Sequence, residues 1–116
     1  MNLAKLYTVV VGALFLIAVG YTLTVELVSK GVTLEAGHKA LHVLLGLWAV
    51  AIVVGKRAPQ YRLFALTNGI LWGCVAMVGW IFPDLHALDA FNRLDTILHT
   101  IVSVTGLASF VLTKPA

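Results

Sequence analysis

Four stretches of this 116-residue chain run almost without charge, each close to the length a helix needs to cross a bilayer. They extend from about Leu6 to Val25, Ala40 to Gly55, Leu63 to Phe82 and Thr96 to Thr113. At about 1.5 Å of rise per residue, roughly 20 residues cover a ~30 Å hydrocarbon core. The second and fourth stretches are short by apolar count. Both extend at their starts, through Gly37–Lys39 and Leu94–Asp95, where side chains can reach outward to the headgroups. The spans then read as residues 5–28, 37–56, 61–82 and 93–113. Four strands cannot close a barrel, and open sheet edges are not tolerated in lipid. The predicted fold class is therefore all-α, a four-transmembrane-helix bundle forming one integral membrane domain over residues 1–116.

Composition agrees with lipid as the solvent. A soluble domain carries about 25% charged and 45–50% apolar residues; here the figures are 11% and 60%. The net charge of +3 is spread along the chain, and no basic run is interleaved with aromatics. Nucleic acid is excluded as a partner on that ground. The expected partners are the bilayer and either other membrane subunits or further copies of the chain. Cys74 is the single cysteine, so an internal disulfide and a thiolate metal cluster are both ruled out. Met1–Tyr21 resembles a signal peptide, but its apolar run is long and no small-x-small pattern closes it. It reads as a retained first span.

The connections fit this threading. Lys56-Arg57-Ala58-Pro59-Gln60 is a short polar turn, with Pro59 placed to start a helix. Ser29–Leu34 joins spans one and two, and the stretch from Pro83 to Asn92 has the amphipathic character of a short interfacial helix around Leu85–Phe91. Glu26, Glu35, Asp84, Asp89 and Asp95 all fall on the side of the first and third connections. Lys5, Lys56, Arg57, Arg62 and Lys114 fall on the other, while Lys30, Lys39 and Arg93 share the acidic side. The positive-inside rule then puts both termini in the cytoplasm, in a bacterial inner membrane or an internal photosynthetic one. Tyr7 and Tyr61 are expected at the inner interface and Trp80 near the outer one.

A faint repeat runs through the chain. Leu6-Tyr7 with Gly12 matches Leu63-Phe64 with Gly69, and Leu41-His42 matches Leu98-His99, always 57 positions on. This suggests a tandem two-helix parallel repeat, spans 1–2 and 3–4, related by an axis along the membrane normal. His42 and His99 would then face one another at equal depth.

Ionisable groups inside a span are costly and usually face the bundle interior. His38 and His42 are four apart, on one helix face, and Asp95 and His99 repeat that spacing. Small residues, Gly46 and Ser103, follow His42 and His99 by four and leave space for a flat macrocycle. Three functional readings follow. His42 and His99 are the axial ligands of a haem b, or they ligate the magnesium of a chlorophyll; in both cases His38 and Asp95 support them from behind. Alternatively the histidines and Asp95 form a proton-responsive cluster, as in a small transporter. The bland alternative is that each histidine hydrogen-bonds a neighbouring helix. A di-iron site is disfavoured because Glu35-x-x-His38 has no second copy, and no nucleophile motif surrounds the serines.

Gly69-x-x-x-Gly73 permits close helix approach in span three, and Asn68 beside it is expected to hydrogen-bond across the same contact. Trp48 and Trp72 fall mid-span and read as buried packing; Cys74 reads as inert.

The segment from Gly37 to Trp48, with its H-x-x-x-H-x-x-x-G run, resembles the second span of the bacterial four-span membrane protein family called domain of unknown function 4383. Asn92–Ser103, with Asp95 and His99, and Leu6-Tyr7 with Gly12 are similar to two further features of that family. The resemblance implies four spans and no assigned activity. The longer first connection usual in the family is shortened here. With nearly all of the chain spent in the membrane, the expectation is a non-enzymatic accessory or structural subunit.

Overall fold

A computed structural model describes residues 2–88 and 91–115. All of the long elements are helices: α1 (Leu3–Lys30), α2 (Leu34–Val54), α3 (Pro59–Ile81) and α4 (Arg93–Leu112). Each is long and apolar enough to cross a membrane, and no strand occurs among the described residues. The chain is thus an all-α, small multi-pass membrane protein.

The helix ends have local causes. Asn2, Thr33 and Asn92 cap α1, α2 and α4 by accepting from the backbone N–H groups of Lys5, Ala36 and Asp95. Pro59 occupies the first turn of α3, where its missing N–H costs nothing. α1 stops at Gly31, whose φ of 75° a β-carbon would oppose. Where a short helix is expected over Leu85–Phe91, the described residues show a 3-10 turn over Pro83–Ala87 that Pro83 starts, and the rest of that expectation falls partly on Asp89 and Ala90. Asp89, assigned above to the acidic side, lies outside the described residues, as do Met1 and Ala90.

α3 and α4 make the most extensive contact. The first half of α1 packs on all three other helices, whereas Gly20–Lys30 packs chiefly on α2. Between the halves, Phe15–Val19 forms a π-helical turn, a local widening that is often found at functional sites. The Cα framework measures 42 × 32 × 15 Å, so the bundle is a slab.

The buried positions repeat along the chain. Ala4, Tyr7, Thr8, Val11, Gly12 and Phe15 are buried in α1; Tyr61, Phe64, Ala65, Asn68, Gly69 and Trp72, each 57 positions later, are buried in α3. The same shift relates His42, Gly46 and Ala49 of α2 to His99, Ser103 and Gly106 of α4. Close contacts recur with it. A β-carbon on Gly12 would lie 2.5 Å from the Ala49 Cβ, and one on Gly69 would lie 2.7 Å from the Leu107 side chain. Tyr7 and Tyr61 are both 6% exposed, so both pack into the core. The Tyr7 hydroxyl is drawn inward because it donates to the Val102 carbonyl at 2.8 Å.

Candidate metal centre

The helical repeat puts His38 and His42 on one face of α2, and α4 brings His99 against them. Nε2 of His38 lies 3.1 Å from Nε2 of His42 and 3.2 Å from Nε2 of His99. One ring nitrogen from each residue lies within 4.8 Å of the others. His42 and His99 are buried, at 7% and 3% exposure, and His38 is half-buried.

Aromatic rings wall the cluster. Trp72 stacks on His42 with ring centroids 4.0 Å apart, and on His99 at 4.7 Å. Phe15, placed by the π-helical turn, meets the His42 ring edge-on at 4.5 Å. The indole is held from its own helix: Trp72 Nε1 donates to Asn68 Oδ1 at 3.0 Å, and Asn68 Nδ2 donates to the Phe64 carbonyl at 2.9 Å. Asn68 therefore does not bridge to another helix as expected. Its amide is used up within α3, orienting the tryptophan.

Proton counting decides what this arrangement can do. A neutral imidazole nitrogen carries either one hydrogen or one lone pair. His38 Nε2 meets two other Nε2 atoms, so it serves only one of them well as a hydrogen-bond partner. Three lone pairs turned onto one shared cation remove the conflict. The two spacings to His38 suit this, since tetrahedral ligands with bonds of about 2.0–2.1 Å lie roughly 3.3 Å apart, and the third pair lies within 4.8 Å. His42 Nδ1 is buried with no hydrogen-bond partner among the described residues. The cluster can hold a metal ion or a cofactor.

A macrocycle between His42 and His99 does not fit. His38 Nε2 sits between the two nitrogens, and Trp72 covers both ring faces. Nor do the small residues leave room beside the imidazoles. A β-carbon on Gly46 would lie 2.8 Å from the Leu16 side chain and 3.2 Å from the Gly12 carbonyl. Ser103 donates to the Gly69 carbonyl at 2.6 Å and packs on Gly73. These positions, with Gly69 and Gly73, bring helices together.

His38, expected to support the ligands from behind, is a direct member of the cluster. Asp95 lies one turn before His99, in the first turn of α4 that Asn92 caps: its N–H donates to Asn92 Oδ1 at 2.7 Å, and its carboxylate accepts from Asn92 Nδ2 at 3.4 Å. Two features escaped the sequence reading. Trp72 carried no signal beyond its mid-span position. Glu26, 5% exposed, accepts from Thr33 Oγ1 at 2.5 Å and pairs with Lys39 Nζ at 3.0 Å, while Lys39 also meets Glu35 at 2.9 Å. This ion pair ties the end of α1 to the start of α2.

No family model, curated protein or solved structure matches the chain.

Proposed function

We propose that this protein is a non-enzymatic membrane protein that binds one transition-metal ion through His38, His42 and His99. The observation that carries the reading is the convergence of three Nε2 atoms, those of His42 and His99 both meeting that of His38, at 3.1 and 3.2 Å. Imidazole donors suit Zn, Cu, Ni and Fe, whereas Mg²⁺ and Ca²⁺ require oxygen ligands. The ion's role is binding within the bundle, and the chain serves as an accessory subunit beside larger membrane partners. The short connections support that part, since they leave no room for a soluble catalytic domain. By the positive-inside rule the termini are cytoplasmic in a bacterial inner membrane, with the cluster toward the outer face. The likeness to domain of unknown function 4383 rests on short segments and adds no activity.

Elemental analysis of protein purified in detergent with a histidine-free tag tests the reading. One equivalent of a late transition metal per chain is expected, and it is lost in His42→Ala and His99→Ala. A folded, metal-stripped chain that takes up no Zn²⁺, Cu⁺ or Ni²⁺ would end it.

A further inference from the structure

The histidine cluster lies off-centre along the bundle. His38 stands four residues from the start of α2 at Leu34, and His99 six from the start of α4 at Arg93, about 6 and 9 Å of helix at ~1.5 Å per residue. In the other direction α2 runs twelve residues past His42, and α4 thirteen past His99, about 18 and 20 Å. Burial deepens along the same axis: His38 is half-buried, whereas His42 and His99 are buried. Past the rings the bundle is filled. Phe15 and Trp72 lie against His42, and beyond them Val11, Ala49, Ile52, Phe64 and Ala65 are each at most 7% exposed. A β-carbon on Gly106 would meet the Ala65 carbonyl and the Tyr7 hydroxyl at 2.8 Å. Thr8 donates to the Ala4 carbonyl and Asn68 to the Phe64 carbonyl, so these buried polar groups are engaged within their own helices.

We propose that the site opens to one end of the bundle only: the metal ion enters and leaves past His38, at the end carrying the Gly31 and Pro83 connections, and does not cross to the other side. The inference rests on the metal-binding reading above. Charge is divided in the same sense. By sequence, the His38 end carries every carboxylate side chain of the protein against Lys30, Lys39 and Arg93, while the far end carries Lys5, Lys56, Arg57, Arg62 and Lys114. A surface of opposite sign raises the local concentration of an ion, and one of like sign lowers it. From the far end a cation would also have to shed its water and pass through packed apolar side chains, where a charge without partners is costly. From the near end it meets an imidazole within about one and a half helical turns of the start of α2. The protein is then an acceptor that exchanges its ion with one side of the membrane, and not a conduit.

The test uses the full chain, loaded with Zn²⁺ and reconstituted in sealed vesicles with unequal orientation, in a Cys74→Ser background carrying Asp84→Cys. An impermeant maleimide labels the molecules whose connection end faces outward, and an impermeant chelator is then added outside. The fraction of Zn²⁺ removed is expected to equal the labelled fraction. With Arg57→Cys in place of Asp84→Cys, the labelled fraction should instead equal the fraction that keeps its Zn²⁺. A zinc indicator trapped inside should report no entry above that of protein-free vesicles. Removal that follows the Arg57→Cys label, removal from every molecule or from none, or protein-dependent entry would each overturn one-ended access while leaving the metal site standing. A folded, unaltered chain that holds no Zn²⁺ before the chelator is added would overturn both readings.

Discussion

His42 and Trp72 lie face to face across the bundle, their planes 1° from parallel and their ring centroids 4.0 Å apart. The pair joins α2 to α3 where little else does, since those helices make few backbone approaches. Stacked rings of this kind contribute about 0.5–1.5 kcal/mol beyond the area they bury.

Trp72→Ala should therefore destabilise the protein through lost packing. The corresponding change in soluble cores costs about 3–5 kcal/mol. In a membrane, lipid tails solvate apolar groups almost as well as protein does, so roughly 2 kcal/mol is expected. Equilibrium unfolding in mixed micelles measures it, and Trp72→Phe should recover part of the loss.

Zn²⁺ should raise the thermal midpoint of the detergent-solubilised protein. Ligand at a hundred times its dissociation constant adds about 2.7 kcal/mol. Ligating imidazoles must be deprotonated, so this increment is present at neutral and higher pH and disappears as pH falls. His99→Ala should remove it at every pH, and thermal scans with and without chelator read the difference.

The close approaches of Gly12 and Gly69 should be equally intolerant. Gly12→Val would force a side chain into Ala49, and Gly69→Val into Leu107 and its backbone nitrogen. Overpacking of this sort costs typically about 1–3 kcal/mol. Both variants should lose a similar amount in the unfolding assay, whereas Gly37→Val, with nothing within 4 Å, should be nearly neutral.

Threading can be checked by thiol labelling in a Cys74→Ser background. Cysteines at Arg57 and Asp84 should react from opposite faces of the membrane. Reaction from the same face would refute the four-pass arrangement and the orientation drawn from charge.

Much of the fold was legible because hydropathy reports contact with lipid directly. The expected spans at residues 37–56 and 93–113 meet α2 and α4 within a few residues. Repetition was visible only as a few identities, since burial, not residue type, is what the two halves share: Asn68 stands where Val11 does, and Ser103 where Gly46 does. The candidate site was half legible. The four-residue spacing put His38 and His42 on one face, but nothing in the sequence reports that α4 passes close enough for His99 to meet His38 rather than a bound macrocycle. The π-helical turn that presents Phe15 has no sequence signature, and the stack on Trp72 depends on an amide that looked free to bridge helices. Small residues were ambiguous for the same reason: Gly46 and Ser103 admit either a ligand or a neighbouring helix, and α1 and α3 filled the space.

Along its 15 Å dimension the Cα framework is about two helices deep, so every helix keeps an outward flank. Acyl chains therefore line both broad faces, and much of the outward flank of each helix is upholstered by lipid. Chain length and unsaturation in the surrounding bilayer become part of the protein's own packing.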